Sequence, residues 1–157
     1  MNIKLLCIGK TDDRNLESLI SVYTNRLKHY VNFELEIITD LKKTKNLSEE
    51  QQKEKEGELI LNKIPPQDQL ILLDENGKEL SSVKFADYLQ KKMNSGIKTL
   101  VFVIGGPYGF SEAVYAKAQG KVSLSKMTFS HQMIRLFITE QIYRGFTILR
   151  NEPYHHR

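Results

Sequence analysis

Apolar runs of strand length alternate with segments of helix length along this whole chain, and that alternation fixes most of what it can fold into. Residues 100–104 (LVFVI) are wholly apolar and residues 3–8 (IKLLCI) nearly so, as expected of strands covered on both faces. Residues 13–30 place Leu16, Leu19, Ile20, Tyr23 and Leu27 at helical spacing, a stripe that reads as core. A second helix is expected from Ser48 to about residue 63, stopped by Pro65-Pro66, and a third from Ser81 or Ser82 to Asn94, broken at Gly96. A short helix is expected over 111–119, and a long one over 130–149 with Ile134, Phe137, Ile138, Ile142, Tyr143 and Phe146 on its apolar side. Further strands fall at 33–39, 69–73 and 121–124; residues 40–47 read as a polar, mobile loop, and Asp74-Glu75-Asn76-Gly77 as a turn closing the third strand. The pattern predicts one α/β domain over residues 1–157, with a mostly parallel sheet and helices on both faces.

Sheets of this kind bind ligands beyond the carboxyl ends of their strands, where the strand order reverses. Three segments follow strands here: Leu73-Asp74, the glycine loop from Gly105 to Gly109, and residues 125–129. Glycines allow a ligand to approach the main chain and take its hydrogen bonds. The order G-G-P-Y-G is nevertheless not the G-x-G-x-x-G of dinucleotide sites, and a plain strand-to-helix turn explains the same residues.

The chain has 157 residues and shows neither a long apolar span nor a signal-peptide core, which predicts a soluble, cytoplasmic protein with no membrane association. Its single cysteine, Cys7, lies within an apolar run and reads as a core residue. The net charge of +4 and a pI near 9.1 lean toward a polyanionic partner; Lys117, Lys121, Lys126, Arg135, Arg144, Arg150 and Arg157 supply positive charge around the later segments. Lys42, Lys43 and Lys45 read as a solvated loop, and the histidines His29, His131, His155 and His156 lack the paired spacing of a metal site.

The segments IGGPYG and LSKMTFSHQMIRLFITEQIYRGFTILRNEPYH, with KLLCIGK, KEKEGELIL and LLDENGK upstream, closely resemble the ribosomal RNA large subunit methyltransferase H family, of the SPOUT class of knotted methyltransferases. The resemblance runs the length of the chain. It implies a homodimeric, S-adenosylmethionine-dependent enzyme that methylates N3 of a pseudouridine in large-subunit ribosomal RNA of assembled ribosomes, with no DNA partner. It also implies a C-terminal trefoil knot, which general rules of chain topology steer away from. By matching motifs, the cofactor contacts fall on Leu73, Gly105, Leu124, Ser125, Lys126, Met127, Thr128 and Phe129, within or beside the three strand-end segments. Ser130 departs from the proline usual in the family but can cap the following helix, leaving a softer loop, and His156 is an addition after His155.

The N3 atom of a uracil ring carries a proton that must leave for the nitrogen to attack a methyl group. His131, Tyr154, His155, Glu140 and Arg144 are the candidates to help. Arginine does not act as a base near neutral pH, so Arg144 would hold a phosphate or stabilise charge on a carbonyl oxygen. Each has a plainer reading: His131 as a helix-start residue, Glu140 with Arg144 as an i, i+4 pair, and Arg135 as a partner of Glu140 or part of a solvated face. The residues Tyr154, His155 and His156 read either as a frayed end or, the favoured expectation, as a tail that orders on substrate binding and stacks on a base. A non-catalytic ribosome-binding protein and a nucleotide-dependent oxidoreductase are the alternatives from other classes.

Overall fold

The structure, a computed structural model, describes residues 1–156; Arg157, counted above among the positive residues, lies outside them. Among the described residues five strands form one sheet in the order β2-β1-β4-β3-β5, and every pairing is parallel. The strands are β1 (Asn2–Ile8), β2 (Asn32–Ile38), β3 (Gln69–Glu79), β4 (Thr99–Ile104) and β5 (Gly120–Ser123). The helices are α1 (Arg14–Leu27), α2 (Glu49–Leu61), α3 (Ser82–Asn94), α4 (Glu112–Lys117) and α5 (His131–Leu149). A 3-10 turn, Thr44–Asn46, interrupts the expected loop at 40–47.

Helix starts follow side-chain chemistry. Asp13, Ser48, Ser81, Ser111 and Ser130 each sit just before a helix in extended backbone and accept a hydrogen bond from a main-chain N–H of its first turn. Ser48 and Gln51 complete a reciprocal capping box. Ser130 therefore does start α5 in the place of the expected proline.

The period-2 alternation of buried strands sends side chains to two cores. Leu5, Cys7, Phe102 and Ile104 face one layer with Phe85 and Leu89 of α3 and Ile138, Ile142 and Phe146 of α5. Leu6, Leu72, Val101 and Val103 face the other with Ile60 of α2 and Val114 of α4. Burial of each such side chain contributes about 1.5–3 kcal/mol. Connections that step toward the β2 edge, through α1 and α3, keep their helices on the α5 side; those that step the other way, through α2 and α4, keep theirs opposite. A single crossover hand produces that sorting. Cys7 is fully buried, and burial pushes its thiol up to about 11, so it stays protonated and structural.

Three expectations are corrected. Leu19 is 49% exposed, on the edge of the α1 stripe rather than in the core. Asp74 to Gly77 does not end β3: Leu73 and Lys78 both pair with Val122, so the four residues between them loop out and the strand resumes. Gly77 belongs there because a Cβ would lie 2.7 Å from the Val122 backbone, a close approach rather than a turn conformation. Arg135 neither pairs with Glu140 nor faces solvent. It is 1% exposed; its Nη1 donates to Gly9 O (2.8 Å) and Thr11 Oγ1 (3.2 Å), and its Nη2 to Ile8 O (2.9 Å). The guanidinium thereby closes the carboxyl end of β1 and is not available to a polyanion.

Candidate active site

A cavity of about 450 Å³ opens over the carboxyl ends of β3, β4 and β5. Its three walls are Leu73 to Asn76, Ile104 to Phe110, and Val122 to Phe129 without Lys126; His131 and Ile134 from the start of α5 close it. Leu73, Gly105, Ser125, Met127, Thr128 and Phe129 thus come together as the strand-end reading expects, with Leu124, named by the family resemblance, beside them. Lys126 does not line the cavity: its side chain is turned outward, with Nζ 3.7 Å from Glu79 Oε1.

The loop after β5 is held open by its own serines. Ser123 Oγ donates to Ser125 O (2.9 Å), and Ser125 Oγ accepts from Met127 N (2.9 Å), which fixes Leu124 and Ser125 while leaving Met127 74% exposed at the mouth. The wall after β4 depends on close packing. A Cβ on Gly105 would meet the Phe110 ring at 3.1 Å, and one on Gly106 would lie 2.4 Å from Glu56 Oε2. Phe110 packs edge-on against Tyr115, whose hydroxyl donates to Asp74 Oδ2, so the glycine wall and the β3 wall are tied together. Tyr115 carries no signal in the sequence, where it is one more apolar position of a short helix; Asp74 stands there only as the last residue of a strand-end segment.

Glu56 stands behind this wall, 4% exposed and with no partner for Oε1. Burial, and then the charge of Asp40, raise its pKa above the ordinary carboxylate value. A carboxyl raised in the folded state favours folding fully below its unfolded-chain pKa, and that contribution is lost as pH rises through the folded value. Glu56→Gln, which cannot ionise, is therefore expected to melt above the parent protein at about pH 8 and level with it at about pH 4. Equal melting temperatures at the higher pH would mean that the buried carboxylate is not a liability.

The other candidate groups form a second cluster, away from the cavity lining. Glu140 Oε1 accepts from Arg144 Nε (3.0 Å), Arg144 Nη2 (2.6 Å) and the Tyr154 hydroxyl (2.9 Å), so the i, i+4 pair is present and the tail residue joins it. The Tyr154 ring lies 4.7 Å edge-on from Tyr143, with the Arg144 guanidinium 4.6 Å from its centre. The tail is anchored again where Glu152 Oε2 accepts from the Tyr30 hydroxyl (2.5 Å). These contacts correct both the frayed reading and the expectation that the tail takes its order from substrate, since the chain itself supplies partners for Glu152, Tyr154 and His155.

Their chemistry divides. Burial and the Tyr23 and Glu140 contacts push the Tyr154 hydroxyl well above its ordinary value, so it donates rather than accepts protons. Arg144 Nη1 lies 3.2 Å from His155 Nδ1. A guanidinium only donates, so in neutral His155 Nδ1 accepts and Nε2 carries the hydrogen, leaving that ring a donor as well. His131 differs: desolvation, and then the Arg135 charge, lower its pKa and favour the neutral imidazole, at the cavity rim.

A parallel α/β sheet with a glycine-walled cavity across three adjacent strand ends is the construction of a small-molecule-binding α/β domain. A family model described as "Predicted SPOUT methyltransferase" matches residues 1–155. The chain belongs to the SPOUT methyltransferases and, within them, to the ribosomal RNA large subunit methyltransferase H family. Proteins of that name from Flavobacterium psychrophilum and Flavobacterium johnsoniae are each 74% identical to it over 157 residues, covering 100% of both chains. The protein of that name from Parabacteroides distasonis is 64% identical over 156 residues, 99% of each. A solved structure, a probable methylase family protein from Haemophilus influenzae, shares the fold with a TM-score of 0.54 at 9% identity, over 99% of this chain and 71% of that one.

Proposed function

We propose that this protein transfers the methyl group of S-adenosylmethionine to N3 of a pseudouridine in large-subunit ribosomal RNA, acting on assembled ribosomes as a homodimer. The observation that carries this reading is the meeting, in one cavity, of Leu73, Gly105 and the Leu124–Phe129 loop, except Lys126. The residues fit such a donor. The lining is mixed apolar and polar, the glycines at 105 and 106 let this wall pack closely against Phe110 and Glu56, and the volume suits a nucleoside-sized ligand. When bound, the cofactor supplies a methyl group activated on a sulfonium, which departs as a thioether.

The chain must then place the ring nitrogen in line with that methyl and take its proton. His131, neutral and at the cavity rim, is the group to accept the N3 proton as the N–C bond forms. Arg144 and His155, both donors, would bind phosphate or the carbonyl oxygens that gain charge as the proton leaves. Neither lines the cavity of its own chain, and Tyr108, Met127, Phe129 and Met133 are exposed at or beside its mouth. Both facts favour a dimer in which a second copy covers those side chains and brings its tail cluster to the cavity. The trefoil knot is proposed on the path of the C-terminal segment, which leaves the β5 edge and reaches the end of β1 at Arg135, crossing β3 and β4.

The test is transfer of labelled methyl groups from S-adenosylmethionine to ribosomes, with the modified nucleoside located by mass spectrometry. Label on N3 of a pseudouridine in the large-subunit RNA is the expected result. Cofactor binding without transfer to any ribosomal particle would overturn the reading.

A further inference from the structure

Arg144 and His155 form the far end of a hydrogen-bonded chain of side chains that begins on a different helix. Ser82, the first residue of α3, donates its hydroxyl to Gln141 Oε1 at 2.8 Å. With its amide oxygen turned to Ser82, Gln141 points its Nε2 the other way and donates to Glu140 Oε2 at 2.8 Å. Glu140 Oε1 is the atom that holds Arg144 and Tyr154. The polarity of the chain admits one direction: a carboxylate accepts and a guanidinium donates, so the reversed amide would set its oxygen against Glu140.

The last torsion of a glutamate is broad, and donors on one oxygen alone leave the carboxylate plane poorly fixed. Gln141 supplies the donor on the second oxygen. Ser82, Glu140 and Gln141 also line a second cavity, of about 380 Å³, which shares Val122, Ser123, Leu124 and Phe129 with the donor cavity. Glu140 and Gln141 therefore face, across that cavity, the strand end that carries the proposed cofactor loop.

We infer that Gln141, oriented by Ser82, is a positioning residue that fixes the carboxylate plane of Glu140 and hence the direction in which Arg144 and His155 present their donors to the substrate. This inference rests on the methyl-transfer reading for its kinetic consequence, while its structural consequence can be read without activity. In Gln141→Leu the affinity for S-adenosylmethionine, measured by calorimetry, is expected to stay at the parent value. The transfer rate to ribosomes should fall about tenfold or more. In histidine-labelled protein, the His155 ring resonance, assigned by its loss in His155→Gln, should shift. Ser82→Ala should move both readouts in the same direction, and Ser82→Thr, which keeps the hydroxyl, should return them.

Parent-like transfer with an unmoved His155 resonance in Gln141→Leu would overturn the inference. So would an equal loss of cofactor affinity and transfer, which marks general damage to the fold. If the parent protein itself transfers no methyl while the resonance still shifts, the functional reading fails and the positioning stands.

Discussion

Arg135→Ala is expected to lose about 4 kcal/mol of folding stability, from the cavity left by a large buried side chain together with main-chain carbonyls deprived of their donor. The guanidinium is 1% exposed and its partners are Ile8 O, Gly9 O and Thr11 Oγ1, with no carboxylate among its hydrogen-bond partners. It therefore acts as a fork of donors aimed at a strand end, and its removal leaves the Ile8 and Gly9 oxygens without that donor at a largely buried position. A loss of this size is a large share of the ~5–15 kcal/mol that holds a domain together. Arg135→Lys should recover only part of it, because one ammonium cannot span both carbonyls in the planar geometry of the guanidinium. Urea denaturation followed by circular dichroism measures the difference; a loss below about 1 kcal/mol for Arg135→Ala would show that α5 is held over β1 by its apolar side alone.

Gly105→Val should raise the dissociation constant for S-adenosylmethionine at least about tenfold, equivalent to about 1.4 kcal/mol. The cause is the neighbour and not the ligand. A Cβ at residue 105 would sit 3.1 Å from Phe110 Cε1, 3.2 Å from Cζ and 3.5 Å from the Gly109 carbonyl carbon, so a branched side chain has to push the Phe110 ring aside. Phe110 leans on Tyr115, and Tyr115 holds Asp74, so the displacement passes from the β4 wall to the β3 wall. Calorimetry separates this from a general loss of folding when paired with a melting curve. A folded Gly105→Val with the parent dissociation constant would remove the glycine loop from the donor site.

Periodicity and capping chemistry make most of the secondary structure legible in the amino-acid order alone. The serines at 48, 81, 111 and 130 and Asp13 mark helix starts through their own hydrogen-bonding chemistry, and the apolar runs of β1, interrupted only at Lys4, and β4 mark strands buried on both faces. Grouping the ends of β3, β4 and β5 requires only the rule that such sheets bind at their carboxyl edge. What stays hidden depends on partners distant in the chain. Nothing local to Arg135 says that its donors reach residues 8 to 11, and nothing local to Gly77 says that it backs onto the main chain of Val122. Lys126 sits inside the motif of the loop proposed to hold the cofactor yet faces outward, because a motif gives the order of residues and not the direction each side chain takes. The tail is harder still: Glu152, Tyr154 and His155 look like a terminus until Tyr30, Glu140 and Arg144 appear beside them.

The place of β4 in the middle of the sheet has a consequence for synthesis. β1 pairs with β2 through residues close in the chain, but its other edge waits for β4, where Asn2 pairs with Thr99. At roughly 5–20 residues per second, β4 leaves the exit tunnel about 5–20 s after β1. For that interval the nascent chain carries an apolar strand with one unpaired edge, open to pairing with another copy. Substitutions that slow β4 from joining, such as a charged residue at Phe102, should therefore lower the soluble yield of the newly made protein further than their effect on the melting temperature of the finished fold would suggest.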